Sequence, residues 1–226
     1  MTKGKAFLKD TKQKEKFKNF ENALSAYNPD ILEVTPKTPN EIYQYYICVD
    51  EMYVWLKNAY EDDLCVLCNE MRAILGHLSE YNIENEPKKK NMDKAYGHLR
   101  RLSIDTLKTL CDAFDKVFDL WINKHAHYDY RNIDNEYFPQ YVKLFNEAHY
   151  AYLDAQKVEN LGSDRENNII KKYYNVAELY YRLYAHHMDD RRIRIEKITR
   201  RFKVNNLIWM SCTLVISILS ICSAFL

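Results

Sequence analysis

Glycine and proline are scarce, with four and five copies in 226 residues. An all-β chain needs both at its turns, so the shortage argues against a sandwich or barrel and for long helices. There is no P-loop, no Rossmann glycine pattern, no internal repeat and no sustained alternation of apolar and polar residues. The first residues do not read as a secretory signal, and disulfides are therefore not expected among the six cysteines. Cys65 and Cys68 have CxxC spacing, but no second CxxC or Cys/His pair completes a zinc set. The expectation is two small apolar residues buried on one helix. Nothing calls for a metal or a cofactor. Charge is missing from one stretch: Leu207 to Leu226 reads LIWMSCTLVISILSICSAFL.

Twenty residues at about 1.5 Å each span roughly 30 Å, the hydrocarbon thickness of a bilayer. Arg191, Arg192, Arg194, Lys197, Arg200, Arg201 and Lys203 precede the run, and such a basic flank is kept on the cytoplasmic side. The layout is that of a tail anchor; the competing reading is a buried core helix. Net charge is +1. The N-terminus is nevertheless basic, with Lys3, Lys5, Lys9, Lys12, Lys14, Lys16 and Lys18 against Asp10 and Glu15. Two basic segments beside a membrane span suit anionic phospholipid, with RNA as the alternative.

The rest reads as helices. Phe17, Phe20 and Leu24 have helical spacing within about 11–27. Thr38, Pro39 and Glu41 have the order of an N-cap, first helical residue and capping-box acid. Ile42, Tyr45, Val49, Met52 and Leu56 then form a stripe over about 39–58. Leu64, Leu67, Met71, Leu75, Leu78 and Tyr81 form the next. Tyr96, Leu99, Leu107, Leu110, Phe114, Val117 and Trp121 run through a helix of about 91–124, broken only by Ser103. Val142, Phe145, Ala148, Tyr152 and Ala155 mark a helix begun around Pro139 and ended by Gly162. From a Ser163 cap onward there is neither Pro nor Gly. One helix of roughly 60 residues and 90 Å, running into the membrane, is the expectation. The 19 tyrosines suit a core whose edges stay wet. The predicted organisation is a basic segment over 1–38, a cytosolic helical domain over 39–203 and an anchor over 204–226. The fold class is all-α, a bundle of about five helices with the long C-terminal helix continuing into a single transmembrane segment.

Three constellations are candidates for function. Arg72-Ala-Ile-Leu-Gly-His77 resembles the Arg, four to six residues, then His motif of the HEPN superfamily of helical domains, many of them RNases. Arg182-Leu-Tyr-Ala-His-His187 is a second match. The resemblance implies a metal-independent RNase in which His77 is general acid or base and Arg72 stabilises the phosphorane, with Arg182 and His187 as a second pair. The residue after Arg is often polar in active members, and here it is Ala73 or Leu183. Residues five apart also sit about 140° apart on an ideal helix, so cooperation would need a second subunit or a broken helix. The alternative is a solvated Arg72 and a His77 at the edge of a helix interface. MRAILGHLSEY followed by DKAYGHLRRLSIDTLKTL is also similar to bacterial helical domains with paired His-Leu helices.

The second constellation is His186-His187-Met188-Asp189-Asp190. His186 and Asp190, four apart on one helix face, have metal-ligand spacing, but two ligands are too few, and His125, His127 or Asp129 would have to be brought in from another element. A charged collar above the membrane, or a pH sensor, is the simpler reading. The third is Thr213, Ser217, Ser220 and Ala224, which keep to an arc of about 60°. Small residues on one face let membrane helices approach. This face reads as a homo-oligomer contact, or as the lining of a narrow pore. A diverged HEPN-like domain with one membrane helix resembles the membrane-anchored accessory proteins of type VI-B CRISPR loci. That resemblance implies an oligomeric effector that perturbs or permeabilises the bilayer in antiviral defence, with RNA or a CRISPR effector protein as a partner. A tethered RNase and a non-enzymatic scaffold or adaptor are the other classes.

Overall fold

The computed structural model describes residues 13–30, 34–59, 64–81, 88–126, 135–160 and 169–224, without the side chains of 13–16, 212 and 214–224. Among the described residues there are seven helices and no strand. We label them α1 (Gln13–Ala26), α2 (Pro39–Ala59), α3 (Cys65–Glu80), α4 (Lys88–His125), α5 (Tyr137–Asn160), α6 (Ile169–His187) and α7 (Asp190–Ala224). The protein is all-α, as its periodicity predicts.

The start of α2 has a local cause. The Thr38 hydroxyl accepts the Glu41 amide at 3.3 Å, and the Glu41 carboxylate accepts the Lys37 amide at 2.8 Å. One amide that the first turn leaves open is thereby satisfied, together with that of Lys37 just before the cap, one residue off the usual capping box. α4 is the spine. Leu99, Leu102, Leu107, Leu110, Phe114, Val117 and Phe118 on it are all buried, and α2, α3, α5 and α6 pack around it. Ser103, the polar break in its stripe, is fully buried, but its hydroxyl donates to the Leu99 carbonyl at 2.8 Å. A hydroxyl satisfied within its own helix carries little penalty for burial.

The core is aromatic. Phe20 of α1 lies 4.5 Å from the Trp55 ring and 5.2 Å from Phe114. α1 is therefore part of the same core as residues 39–187. Tyr173, Tyr180 and Tyr141 are fully buried, yet each hydroxyl has a partner. Tyr180 donates to Asp115 at 2.7 Å, Tyr173 donates to Glu159, and Tyr141 meets the His187 imidazole at 2.9 Å. These three tyrosines thus contribute apolar area without stranding a polar atom, whereas the Tyr27 hydroxyl is buried with no hydrogen-bond partner.

Two expectations are corrected. The helix from residue 163 to the anchor is not continuous, because α6 ends at His187 and α7 begins at Asp190. Asp189 causes the break. Its Oδ1 accepts the Arg191 amide at 2.8 Å, and its Oδ2 accepts the Arg191 side chain at 2.8 Å and 3.0 Å. That is N-cap geometry, which an aspartate prefers to a helix interior. Arg191's hydrogen bond also holds the Asp189 carboxyl below the usual range. Secondly, Cys65 is exposed; only Cys68 turns inward, with its sulfur 3.0 Å from the Tyr53 hydroxyl.

α7 departs from the bundle. Ile195 and Thr199 are buried, whereas every side chain from Arg200 to Ser211 is exposed. Among the described residues no helix is long and apolar enough to cross a membrane. The side chains of 214–224, which make up most of the uncharged run, are not among them. The Ser163 cap, His127 and Asp129, and the N-terminal lysines through Lys12 lie outside the described residues.

Candidate functional site

α3 and α4 pack against each other as an extensive pair, and each carries a Gly-His-Leu. The two histidines, His77 and His98, stack with ring centroids 5.3 Å apart. His98 Nδ1 lies 2.7 Å from Glu70 Oε2 and 2.8 Å from Arg101 Nη2. Arg101 Nε is 3.4 Å from the same Glu70 oxygen. Nδ1 has a single bond to make. Either Nδ1 carries a hydrogen and donates to Glu70, or it is bare and accepts from Arg101, and the tautomer of His98 decides which. His77 Nδ1 is 3.4 Å from Glu80. Two imidazoles, a guanidinium and two carboxylates therefore sit together, partly open to solvent, beside a cleft of about 290 Å³ lined by Lys94, Gly97, His98 and Arg101.

Arg72 is not part of that group. α3 is unbroken from Cys65 to Glu80, so Arg72 and His77 stay about 140° apart around its axis. Arg72 is exposed, while His77 turns toward α4. The structure pairs His77 with His98, Arg101 and Glu70. Helical spacing places His98 and Arg101 on one face of α4; nothing in the sequence pairs that face with His77.

The second match separates in the same way. Arg182 is exposed beside Glu178 and Tyr181, whereas His187 is fully buried. His187 belongs to an aromatic cage where α4, α5, α6 and α7 meet. Trp121 stacks on His125 at 4.3 Å and on Tyr141 at 4.3 Å, and meets His187 edge-on at 5.6 Å. His125 Nδ1 donates to the Trp121 carbonyl at 2.6 Å. The Nε2 atoms of both His125 and His187 are buried without a hydrogen-bond partner. Burial pushes the His187 imidazole well below its ordinary value, helped by the charges of Arg192, His125 and His186. Burial lowers His125 as well. Both are neutral in the folded protein at neutral pH.

His186 is locked elsewhere. The Tyr137 hydroxyl donates to the His186 carbonyl at 3.1 Å, and His186 Nε2 meets the Tyr137 carbonyl at 3.2 Å. Arg191 lies over the Tyr137 ring at 5.3 Å. With the helix broken at Asp189, His186 and Asp190 no longer share a face. Among the described residues no group of three His, Cys, Asp or Glu is placed to hold a metal. The collar is a joint: it ties the start of α5 and the end of α6 to the first turn of α7.

Near the C-terminal end of α7, the Thr213 hydroxyl donates within its own helix, 2.9 Å from the Met210 carbonyl and 3.1 Å from that of Trp209. The side chains of Ser217, Ser220 and Ala224 lie outside those described. No family model, curated protein or solved structure matches the chain, so its chemistry rests on its own residues.

Proposed function

We propose that the protein is a membrane-anchored helical effector. Its bundle faces the cytoplasm, and its copies associate through the anchor to perturb the bilayer. One observation carries the anchoring. On α7 beyond Thr199, Leu207, Ile208, Trp209 and Met210 are 67, 55, 72 and 70 % exposed, and the same helix continues to Ala224. In water such a helix would be an unburied apolar surface. In a bilayer it is covered, with Trp209 at headgroup level and the basic turns outside. Association draws on the face of Thr213, Ser217, Ser220 and Ala224. A Thr213 hydroxyl turned back onto its own helix leaves that face smooth enough for close approach.

The test is the size of the detergent-solubilised particle together with dye leakage from liposomes. An oligomer, and leakage that falls in Thr213→Leu/Ser217→Leu, support the effector. A monomer with no leakage leaves a plain tether.

The stacked His77 and His98 favour a second reading, a tethered RNase. Their imidazoles would serve as acid and base and Arg101 would stabilise the developing charge. RNA cleavage lost in both His77→Ala and His98→Ala, with helix content intact, would support it. Cleavage unchanged by either would dismiss it.

A further inference from the structure

A cleft of about 330 Å³ opens where the C-terminal end of α4 meets the first turns of α7. Lys124 comes from α4; Lys197, Arg200 and Lys203 come from α7. The three α7 cations recur every third residue, so they line one side of the helix. Ile195 and Thr199, on another side, are buried and fix that side against the bundle. All four cations are exposed, and among the described residues none has a carboxylate partner. The one carboxylate in the cleft, Glu196, is already engaged. It accepts Arg192 Nη1 at 3.0 Å and faces Trp121 Nε1 at 3.4 Å. The cleft is thus a concave site with four uncompensated positive charges. Lys124 and Lys203 each lie close enough to His125 for their charge to act on its buried imidazole. Such a set of like charges is unfavourable by itself and favourable around an anion.

Its height is specific. Arg200 and Lys203 precede Leu207 by seven and four residues, roughly 10 and 6 Å along a helix axis. The headgroup layer outside a hydrocarbon core is itself about 5–8 Å deep. Lys124 closes the cleft from the bundle side, so a phosphate there would touch both the anchor and the domain.

We propose that this cleft binds the phosphate of an anionic phospholipid headgroup and so fixes the bundle against the membrane surface. The proposal rests on α7 crossing the bilayer. The ligand chemistry is a phosphate anion, and its source is the surrounding membrane: the cleft lies at headgroup depth and has no aromatic side chain on which a base could stack.

The test uses the full chain reconstituted in an equal mixture of phosphatidylcholine and phosphatidylglycerol, extracted in mild detergent. Native mass spectrometry then reads the lipids retained. We expect phosphatidylglycerol to be enriched several-fold in the wild type. The enrichment should vanish in Lys124→Gln/Arg200→Gln and persist in Lys88→Gln/Lys89→Gln, at the far end of α4. Lys203→Glu is a second variant, expected to lose the enrichment alone. Resistance to alkaline carbonate is measured on every sample. A wild type that does not insert overturns the anchoring and this proposal together. Normal insertion without enrichment, or with enrichment indifferent to Lys124, Arg200 and Lys203, overturns this proposal alone. Displacement of the lipid by inorganic phosphate would instead assign the cleft to a soluble anion, and displacement by a short RNA would assign it to nucleic acid.

Discussion

The bundle and α7 treat apolar side chains in opposite ways. From α1 to α6 most of the large aromatics turn inward and find partners, as Phe20 does against Trp55 and Phe114, Tyr180 on Asp115 and Tyr141 on His187; Tyr43 and Tyr150 are the exposed exceptions among the described ones. Among the described side chains of α7, Ile195 is the last large apolar one to be buried, and Leu207 to Met210 stand open. The bundle supplies its own interior. α7 borrows one, and on our reading the lender is a bilayer. The two regions meet at Asp189, which ends one helix regime and begins the other. Folding stability and membrane attachment should therefore be separable by mutation, and the following variants test that separation.

The largest effect belongs in the bundle. Phe114 is the hub of the aromatic core, and Phe114→Ala should cost about 3–5 kcal/mol. That lowers the melting temperature by roughly 6–20 °C. Whatever still folds should attach to membranes normally. Ile218→Arg, in the middle of the uncharged run, should do the reverse. A charge at mid-bilayer costs about 2.5–3.5 kcal/mol on insertion scales. Reconstitution into liposomes should fall sharply while the bundle melts at its usual temperature. Equal loss of both properties in either variant would break the comparison.

A smaller effect comes from the junction. His187 is buried and neutral, with its folded pKa pushed well below the ordinary value by burial and by Arg192, His125 and His186. Below the unfolded value of about 6.5 the unfolded chain takes up a proton that the folded chain refuses. Stability is thus fully present above that pH. It falls by about 1.4 kcal/mol per pH unit as the medium is acidified toward the folded pKa. Denaturant melts between neutral and mildly acidic pH should show this slope, reduced in His187→Gln. Asp189→Ala removes the cap of α7 and should cost about 1 kcal/mol. It should also loosen the angle between α6 and α7, read as a broader distance distribution between spin labels placed on the two helices.

The helices were largely legible. Stripes expected over 39–58 and 91–124 appear as Pro39–Ala59 and Lys88–His125, because one buried face per helix leaves a 3.6-residue period. What periodicity cannot see is a local competitor for the backbone. His186 to Arg192 continues the helical pattern, yet the Asp189 side chain captures the Arg191 amide and starts a new helix. A pair of aspartates after a histidine pair was the available signal. Cys65 was misplaced for a simpler reason. It lies about 200° around the helix from Leu67, on the side away from the stripe. The His77–His98 stack was beyond reach, since no local pattern says which face of α4 meets α3. The residue spacing did foretell one limit. An unbroken α3 keeps Arg72 away from His77, so any chemistry there must draw on α4.

The account stands or falls on whether α7 is in a membrane. Alkaline carbonate extraction of membranes from cells making the full chain measures this directly. The protein should remain in the pellet with integral membrane proteins and be released only by detergent. Recovery of the folded chain in the carbonate supernatant would contradict the account.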